Sequence, residues 1–254
     1  MKHIFVSVPY QLVEPNLKRI LSMDIGIEIY LENNLLDTVT TDEVKELSRK
    51  LRDYGILCSL HAPYMDLSPG GQDQKIRALS VERLKKAVEI ANIINAETIV
   101  CHPGYDRWHF DGNVELWFKN SLLSWTEVLK EKEGNTHVLV ENVFEETPES
   151  LLELLNYFKG KLLFCFDTGH FNVFSKTSLE KWLTPMKKWI KEFHLHDNYG
   201  TEDDHMPLGI GNFPFRELRN FVKGLEEKEI IYVAEPHNES QAIESIKRIR
   251  DFLW

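Results

Sequence analysis

Residues 162–170 read LLFCFDTGH, a near-continuous apolar run that stops on Asp167. A run this short and this apolar fits a strand buried on both faces, as in a parallel sheet. The same pattern recurs along the chain. Strands are predicted over 3–8 (HIFVSV), 25–31 (IGIEIYL), 56–61 (ILCSLH), 97–102 (ETIVCH), 137–142 (HVLVEN), 162–167, 191–196 (KEFHLH) and 230–235 (IIYVAE). Amphipathic stretches between them predict helices near 14–22, 41–53, 74–95, 113–133, 148–158, 178–190, 214–224 and 239–252. In 74–95, Ile76, Leu79, Leu84, Val88, Ala91 and Ile94 keep mostly to one helical face. Thr41, Thr147-Pro148-Glu149 and Ser178 supply start signals. Gly55, Gly134, Gly160 and Gly224 stand just after helices, where left-handed C-caps are predicted. Eight βα units in 254 residues predict one (β/α)8 TIM barrel domain spanning 1–254. An open doubly wound sheet is the alternative, but no G-x-G-x-x-G follows the first strand.

In such barrels the active site lies at the C-terminal ends of the strands. Six of the apolar runs stop there on a metal-binding side chain: His61, His102, Glu141, Asp167, His194 and Glu235. The segment DDHMPLG (203–209) adds Asp203 and His205 from a loop. Imidazoles and carboxylates converging from many strands suit a hard or borderline divalent cation. Left unpaired in a core, such groups would cost several kcal/mol each. His170, three residues beyond Asp167, and Glu28 on the second strand are candidate site residues of the same mouth. His196 shares a strand face with His194, either supporting the site or lying one layer deeper. His3, His109, His137 and His237 have no comparable context. Trp108, Trp117, Trp125, Trp182, Trp189 and Trp254 fall mostly at helix spacing, which predicts core or docking roles. The 103–113 loop, with Tyr105, Asp106, Arg107, Trp108 and His109, is a candidate lid.

Apolar residues make up 43% of the chain and charged residues 28%, as in an ordinary soluble enzyme. A net charge of −10 argues against broad nucleic-acid binding, which depends on Lys and Arg neutralising phosphates. Cys58, Cys101 and Cys165 each sit inside a predicted strand, as buried reduced thiols do in a reducing compartment. MKHIFVSVPY is too short in apolar length for a signal peptide, and no run approaches ~18 apolar residues. A cytoplasmic protein without a membrane span is expected.

The ordered set from GIEIY (26–30) through HAPY, HPG, VEN, DTGH and HLHDN to AEP (234–236) resembles one superfamily. It holds the xylose-isomerase-like sugar isomerases and epimerases together with endonuclease IV. The epimerase pattern implies one divalent metal, often manganese, on Glu141, Asp167, His194 and Glu235. It also implies that Glu141 and Glu235 are the catalytic acid–base pair and that His170 faces substrate oxygens. The endonuclease IV pattern implies three zincs. His61, His102 and Glu141 would hold the first, the four epimerase ligands the second, and His170, Asp203 and His205 the third. The chain departs from that pattern in reading HLHDN for HLND, and Asp203-Asp204-His205 for Asp-Arg-His. The loop MDLSPGG after HAPY brings no basic, aromatic-rich surface for opening a duplex.

The resemblance therefore implies a divalent-metal-dependent isomerase or epimerase of a sugar or sugar phosphate. It would work through a metal-stabilised enediolate with a Glu/Glu acid–base pair. A zinc-dependent, endonuclease IV-like phosphodiester hydrolase is the alternative, and a catalytically silent sensor barrel a third class. Zinc or manganese is expected, one ion by preference and up to three. His61, His102, His170, His205 and Glu28 are the expected substrate contacts. Gly209-Ile210-Gly211 is the one candidate phosphate loop. The expected partner is a small sugar rather than nucleic acid, and a homo-oligomer is compatible with the sequence.

Overall fold

In the computed structural model, which describes residues 3–32, 34–225 and 229–253, all eight apolar runs are strands. They are β1 His3–Pro9, β2 Gly26–Tyr30, β3 Cys58–His61, β4 Thr98–Cys101, β5 His137–Glu141, β6 Leu162–Asp167, β7 Ile190–Leu195 and β8 Ile231–Ala234. Each pairs in parallel with the next, and β8 closes on β1 with Phe5 opposite Val233. The closed sheet is the predicted (β/α)8 barrel. The helices are α1 Tyr10–Ser22, α2 Leu35–Thr38, α3 Thr41–Asp53, α4 Gln74–Ile94, α5 Val114–Val128, α6 Glu149–Phe158, α7 Thr168–Phe174, α8 Leu179–Met186, α9 Phe215–Lys223 and α10 Glu239–Leu253. No described helix is long and apolar enough to cross a membrane.

Several local expectations shift by a residue or a turn. The cap of α3 is Thr40 rather than Thr41: Thr40 and Glu43 form a reciprocal capping box. Ser178 caps α8 as predicted, accepting from the Lys181 N–H at 3.4 Å. Gly55, Gly134 and Gly160 are left-handed, but Gly224 is not, with φ of −78°. There the Gly224 and Leu225 amides bond back to Phe221 and Val222, a tightened last turn that needs no left-handed residue. In α4, Ile76 and Leu79 are exposed, and the buried stripe runs through Ser80, Leu84, Ala87, Val88, Ala91 and Ile94. Ser80 takes the inner place in the second turn because its Oγ accepts the Ser68 N–H at 2.8 Å. Trp117, Trp125 and Trp182 are fully buried, Trp189 is half-buried, Trp108 is 83% exposed, and Trp254 lies outside the described residues. The three cysteines are buried and free.

Two helices have no counterpart in the sequence reading. The first, α2, is a single turn. The second, α7, starts at the very end of β6, where the Asp167 carboxylate accepts the His170 N–H at 2.6 Å. Seven residues are too few for a helical period to register. Their cap nevertheless fixes where His170 stands.

Candidate metal centre

Alternation along the barrel strands stacks inward side chains in layers. Phe5, Ile231 and Val233 fill one part of the interior, and Val100, Leu139 and Cys165 another. Gly26 makes room there, because a Cβ on it would stand 2.3 Å from the Phe5 ring. At the C-terminal mouth a cluster of imidazoles and carboxylates stands among aromatic and aliphatic walls.

Glu141 is the hub. Its Oε2 lies 3.2 Å from His61 Nε2 and 3.4 Å from His102 Nε2. Its Oε1 lies 3.0 Å from His170 Nδ1 and 3.4 Å from His194 Nδ1. His194 Nδ1 also faces Glu235 Oε1 at 3.2 Å and Asp167 Oδ2 at 3.9 Å. The structure thus brings Glu141, Asp167, His194 and Glu235 to one point. Asp167 and His194 are wholly buried at its floor, while Glu141 and Glu235 stand on the cavity wall. His194 Nδ1 has no hydrogen-bond partner although it is buried. A buried imidazole nitrogen facing three carboxylates is a costly arrangement unless a proton or a metal cation stands between them. Ligand atoms bonded to a common ion at ~2.1 Å stand roughly 3.4 Å apart, which is the spacing found here. The donor set fits a divalent metal.

The remaining predicted ligands form two flanking groups. His61, His102 and Glu141 offer ligand atoms within 4.8 Å of one another, as do His196, Asp203 and His205. His170 reaches the second group only from the side, with its Nε2 3.4 Å from Asp203 Oδ2. His196 is a site residue that the sequence left undecided. It is not deeper than His194 but one layer nearer the mouth, with Nε2 2.8 Å from Asp167 Oδ2 and 3.4 Å from Glu235 Oε2. Its Nδ1 and Asp203 Oδ1 are both buried and unpartnered, 3.6 Å apart. His205, itself left-handed at φ 49°, stacks on His196 at 4.0 Å and on His237 at 4.7 Å. His237, for which the sequence offers no context, also lines the cavity. Its spacing of two from Glu235 was the available signal, since it puts both on one side of an extended chain.

Burial pushes the Glu141 carboxyl up, but the imidazoles of His194, His102 and His170 outweigh it and hold it well below the usual range. Burial lowers His61 and His205, yet the hydrogen bonds they donate to the Glu141 and Asp203 carboxylates win and raise each to about 9. His102 goes the other way, lowered chiefly by burial. Burial lowers His194 too, yet Cys165 and the carboxylates of Glu235, Glu28 and Glu141 raise it well above its usual range, so the metal-free centre carries a proton on His194 that a cation must displace, beside those on His61 and His205 below about pH 9. Zn2+ uptake is expected to release protons, and Zn2+ affinity to rise with pH until these imidazoles are neutral. Chelator competition at about pH 6 and about pH 8.5, with a pH-indicator dye, measures both. An affinity independent of pH would contradict this account.

The surrounding loops are fastened by side chains rather than by regular structure. Asn142 spans β5 and β6, donating to Asp167 O and accepting from Asp167 N, both at 2.9 Å. Asp197 in HLHDN is wholly buried and accepts the amides of Gly209, Gly211 and Phe213. Those bonds anchor the loop that carries Asp203 and His205. They also correct the Gly209-Ile210-Gly211 expectation, because amides committed to a buried carboxylate are not available to a phosphate. Glu28 departs from its expectation too. It does not line the cavity but lies fully buried beneath His194, with Oε2 3.2 Å from Nε2.

The centre opens into a cavity of about 660 Å3. His61, His102, His170 and His205 line it, with Tyr30, Tyr64, Phe144 and Phe174 among the less polar walls. Of the 103–113 loop, Gly104 and Tyr105 reach this cavity, and Arg107 ties the loop to Glu146 at 2.7 Å. Among the described lining residues there is no lysine or arginine.

Comparison with known proteins gives this arrangement a family. The profile described as xylose isomerase-like TIM barrel matches residues 25–252. Uncharacterized protein MJ1311 of Methanocaldococcus jannaschii is 31% identical over 215 residues, 80% of this chain and 73% of that protein. A crystal structure of a D-tagatose 3-epimerase-like protein superposes with a TM-score of 0.83 at 27% identity, covering 100% of this chain and 97% of that one. Endonuclease IV from Thermus thermophilus shares the fold at a TM-score of 0.74 and 19% identity, covering 99% of this chain and 98% of that one. The match over nearly the whole chain places it plainly: this protein belongs to the xylose isomerase-like TIM barrel family.

Proposed function

We propose that this protein is a divalent-metal-dependent isomerase or epimerase of a small, uncharged sugar. The observation that carries the reading is the pairing of two cavity-wall glutamates, Glu141 and Glu235, on one buried and unpartnered nitrogen, His194 Nδ1. A divalent cation bound there would polarise adjacent carbonyl and hydroxyl oxygens and acidify the C–H between them. Glu141, kept ionised by its imidazole neighbours, is suited to take a proton, and Glu235 to return one. His170 stands at the cavity wall, where it can orient substrate oxygens. Tyr30 and Tyr64 offer apolar faces for a sugar ring. A wall without lysine or arginine favours a neutral sugar over a sugar phosphate or a nucleic-acid backbone. Zinc or manganese suits the mixed imidazole and carboxylate donors. Three buried free thiols suit a cytoplasmic setting.

A second reading, phosphodiester hydrolysis of endonuclease IV type, draws on the His61, His102 and Glu141 group, which could hold a second ion. Elemental analysis of wild type and His61→Ala separates the two. For the isomerase, one tightly held metal is expected in both, since His61 is not among the four ligands of the central site. Three metals in wild type, with one lost on mutation and a rate loss of about two orders of magnitude or more on an abasic-site oligonucleotide, would establish the hydrolase instead.

A further inference from the structure

We propose that Glu28 is a positioning residue for the metal centre: from the layer below, it selects the His194 tautomer that leaves Nδ1 free to bind a cation. The inference rests on the metal-centre reading above and adds a part of the chain that touches neither cavity nor substrate. Glu28 of β2 and Glu192 of β7 are both wholly buried in the barrel, directly beneath His194. The two carboxylates have different work. Glu192 is engaged by hydroxyls, accepting from Thr98 Oγ1 at 2.5 Å and from Ser59 Oγ at 3.5 Å. It stands 3.8 Å from His194 Nε2. Glu28 is closer, at 3.2 Å, and its other oxygen has no partner at all. Among the described residues, the hydrogen-bond partner of the Glu28 carboxylate is therefore the imidazole.

A neutral imidazole carries one N–H and one lone pair. With the proton on Nε2, directed at Glu28, the lone pair lies on Nδ1, which faces Glu141, Glu235 and Asp167. With the proton on Nδ1, the same ring would point an N–H at those carboxylates and could not ligate. A carboxylate on the far nitrogen of a metal-bound histidine also raises the basicity of the near one. Glu28 is thus placed to fix both the tautomer and the ring angle.

The test uses Zn2+ alone as probe, in competition with a chromophoric chelator, on wild type, Glu28→Gln and Glu28→Leu. Gln keeps a carbonyl that can accept the Nε2–H but removes the charge, so Zn2+ affinity is expected to fall about tenfold. Leu removes both, and the loss is expected to approach ~100-fold. Melting with and without Zn2+ separates this role from a purely structural one. Removing one partner of the buried Glu28–His194 pair is expected to lower metal-free stability whatever the role of Glu28, so the diagnostic is the gain in melting temperature on adding Zn2+, which is expected to shrink. Zn2+ held equally tightly by all three proteins overturns the role of Glu28 and leaves the metal centre standing. So does a Leu variant whose Zn2+-induced gain is undiminished, whatever its metal-free melting temperature. A wild type that takes up neither Zn2+ nor Mn2+ overturns the metal-centre reading itself.

Discussion

Glu141→Gln is expected to abolish turnover and to strip the central metal site of most of its affinity. Two carboxylate oxygens of Glu141 meet four imidazoles, those of His61, His102, His170 and His194. An amide keeps the shape but turns one of those oxygens into an NH2, which donates hydrogen bonds and is a poor ligand. Loss of a general base alone costs about 10^2–10^4 in rate, and weakened metal binding adds to it. The protonation pattern should shift as well. The hydrogen bond that Glu141 accepts is the chief influence raising His61, so without the charge burial should draw that imidazole down from about 9. Elemental analysis, steady-state turnover on an identified sugar and the pH profile of Zn2+ binding read the three effects. A Glu141→Gln protein with normal metal content and near-wild-type turnover would remove Glu141 from the centre of the mechanism.

The barrel was legible because its determinants are local. Each strand is a contiguous apolar run, and the observed bounds of β3, β5 and β6 fall within two residues of the prediction. Direction into the barrel was legible too, because alternation is a property of sequence spacing. Height in the barrel was not. Glu28 and His61 both sit on inward positions, but β2 pairs with β3 so that Glu28 lies opposite Ser59 and Tyr30 lies opposite His61. That register puts Glu28 one layer beneath the mouth, where it can reach His194 but not the cavity. Register is set by the closing of the whole sheet and cannot be read from β2 alone. His196 was open for a related reason: it follows the last residue of β7, so strand spacing alone does not say whether its ring turns in towards Asp167 and Glu235. Committed groups were hidden for a different reason. Nothing in Gly209-Ile210-Gly211 reveals that its amides go to Asp197, because that bond spans twelve to fourteen residues of loop.

Gly169→Ala is expected to damage stability and metal binding together, though no ligand is altered. Gly169 is the third residue of DTGH and lies inside α7, where alanine would ordinarily stabilise a helix by ~0.5–1 kcal/mol relative to glycine. Here the sign should reverse. A Cβ at this position would stand 2.0 Å from His196 Cε1, 2.4 Å from its Nδ1 and 2.9 Å from Asp203 Oδ1. The ring cannot swing clear, because Asp167 holds its Nε2 at 2.8 Å and His205 stacks on its face at 4.0 Å. Relief must come from a shift of α7 against β7, and α7 begins at Asp167, the carboxylate that caps it. Overpacking of this kind costs typically ~1–3 kcal/mol. The displaced side chains are Asp167, His196 and Asp203, so Zn2+ affinity and turnover should fall together by at least about tenfold, the effect of disturbing groups that orient ligands. Thermal melting with and without Zn2+, alongside metal content, gives the result. An alanine variant that melts higher than wild type with full metal content would mean that the His196–Asp203 cluster yields freely and that Gly169 is not what shapes it.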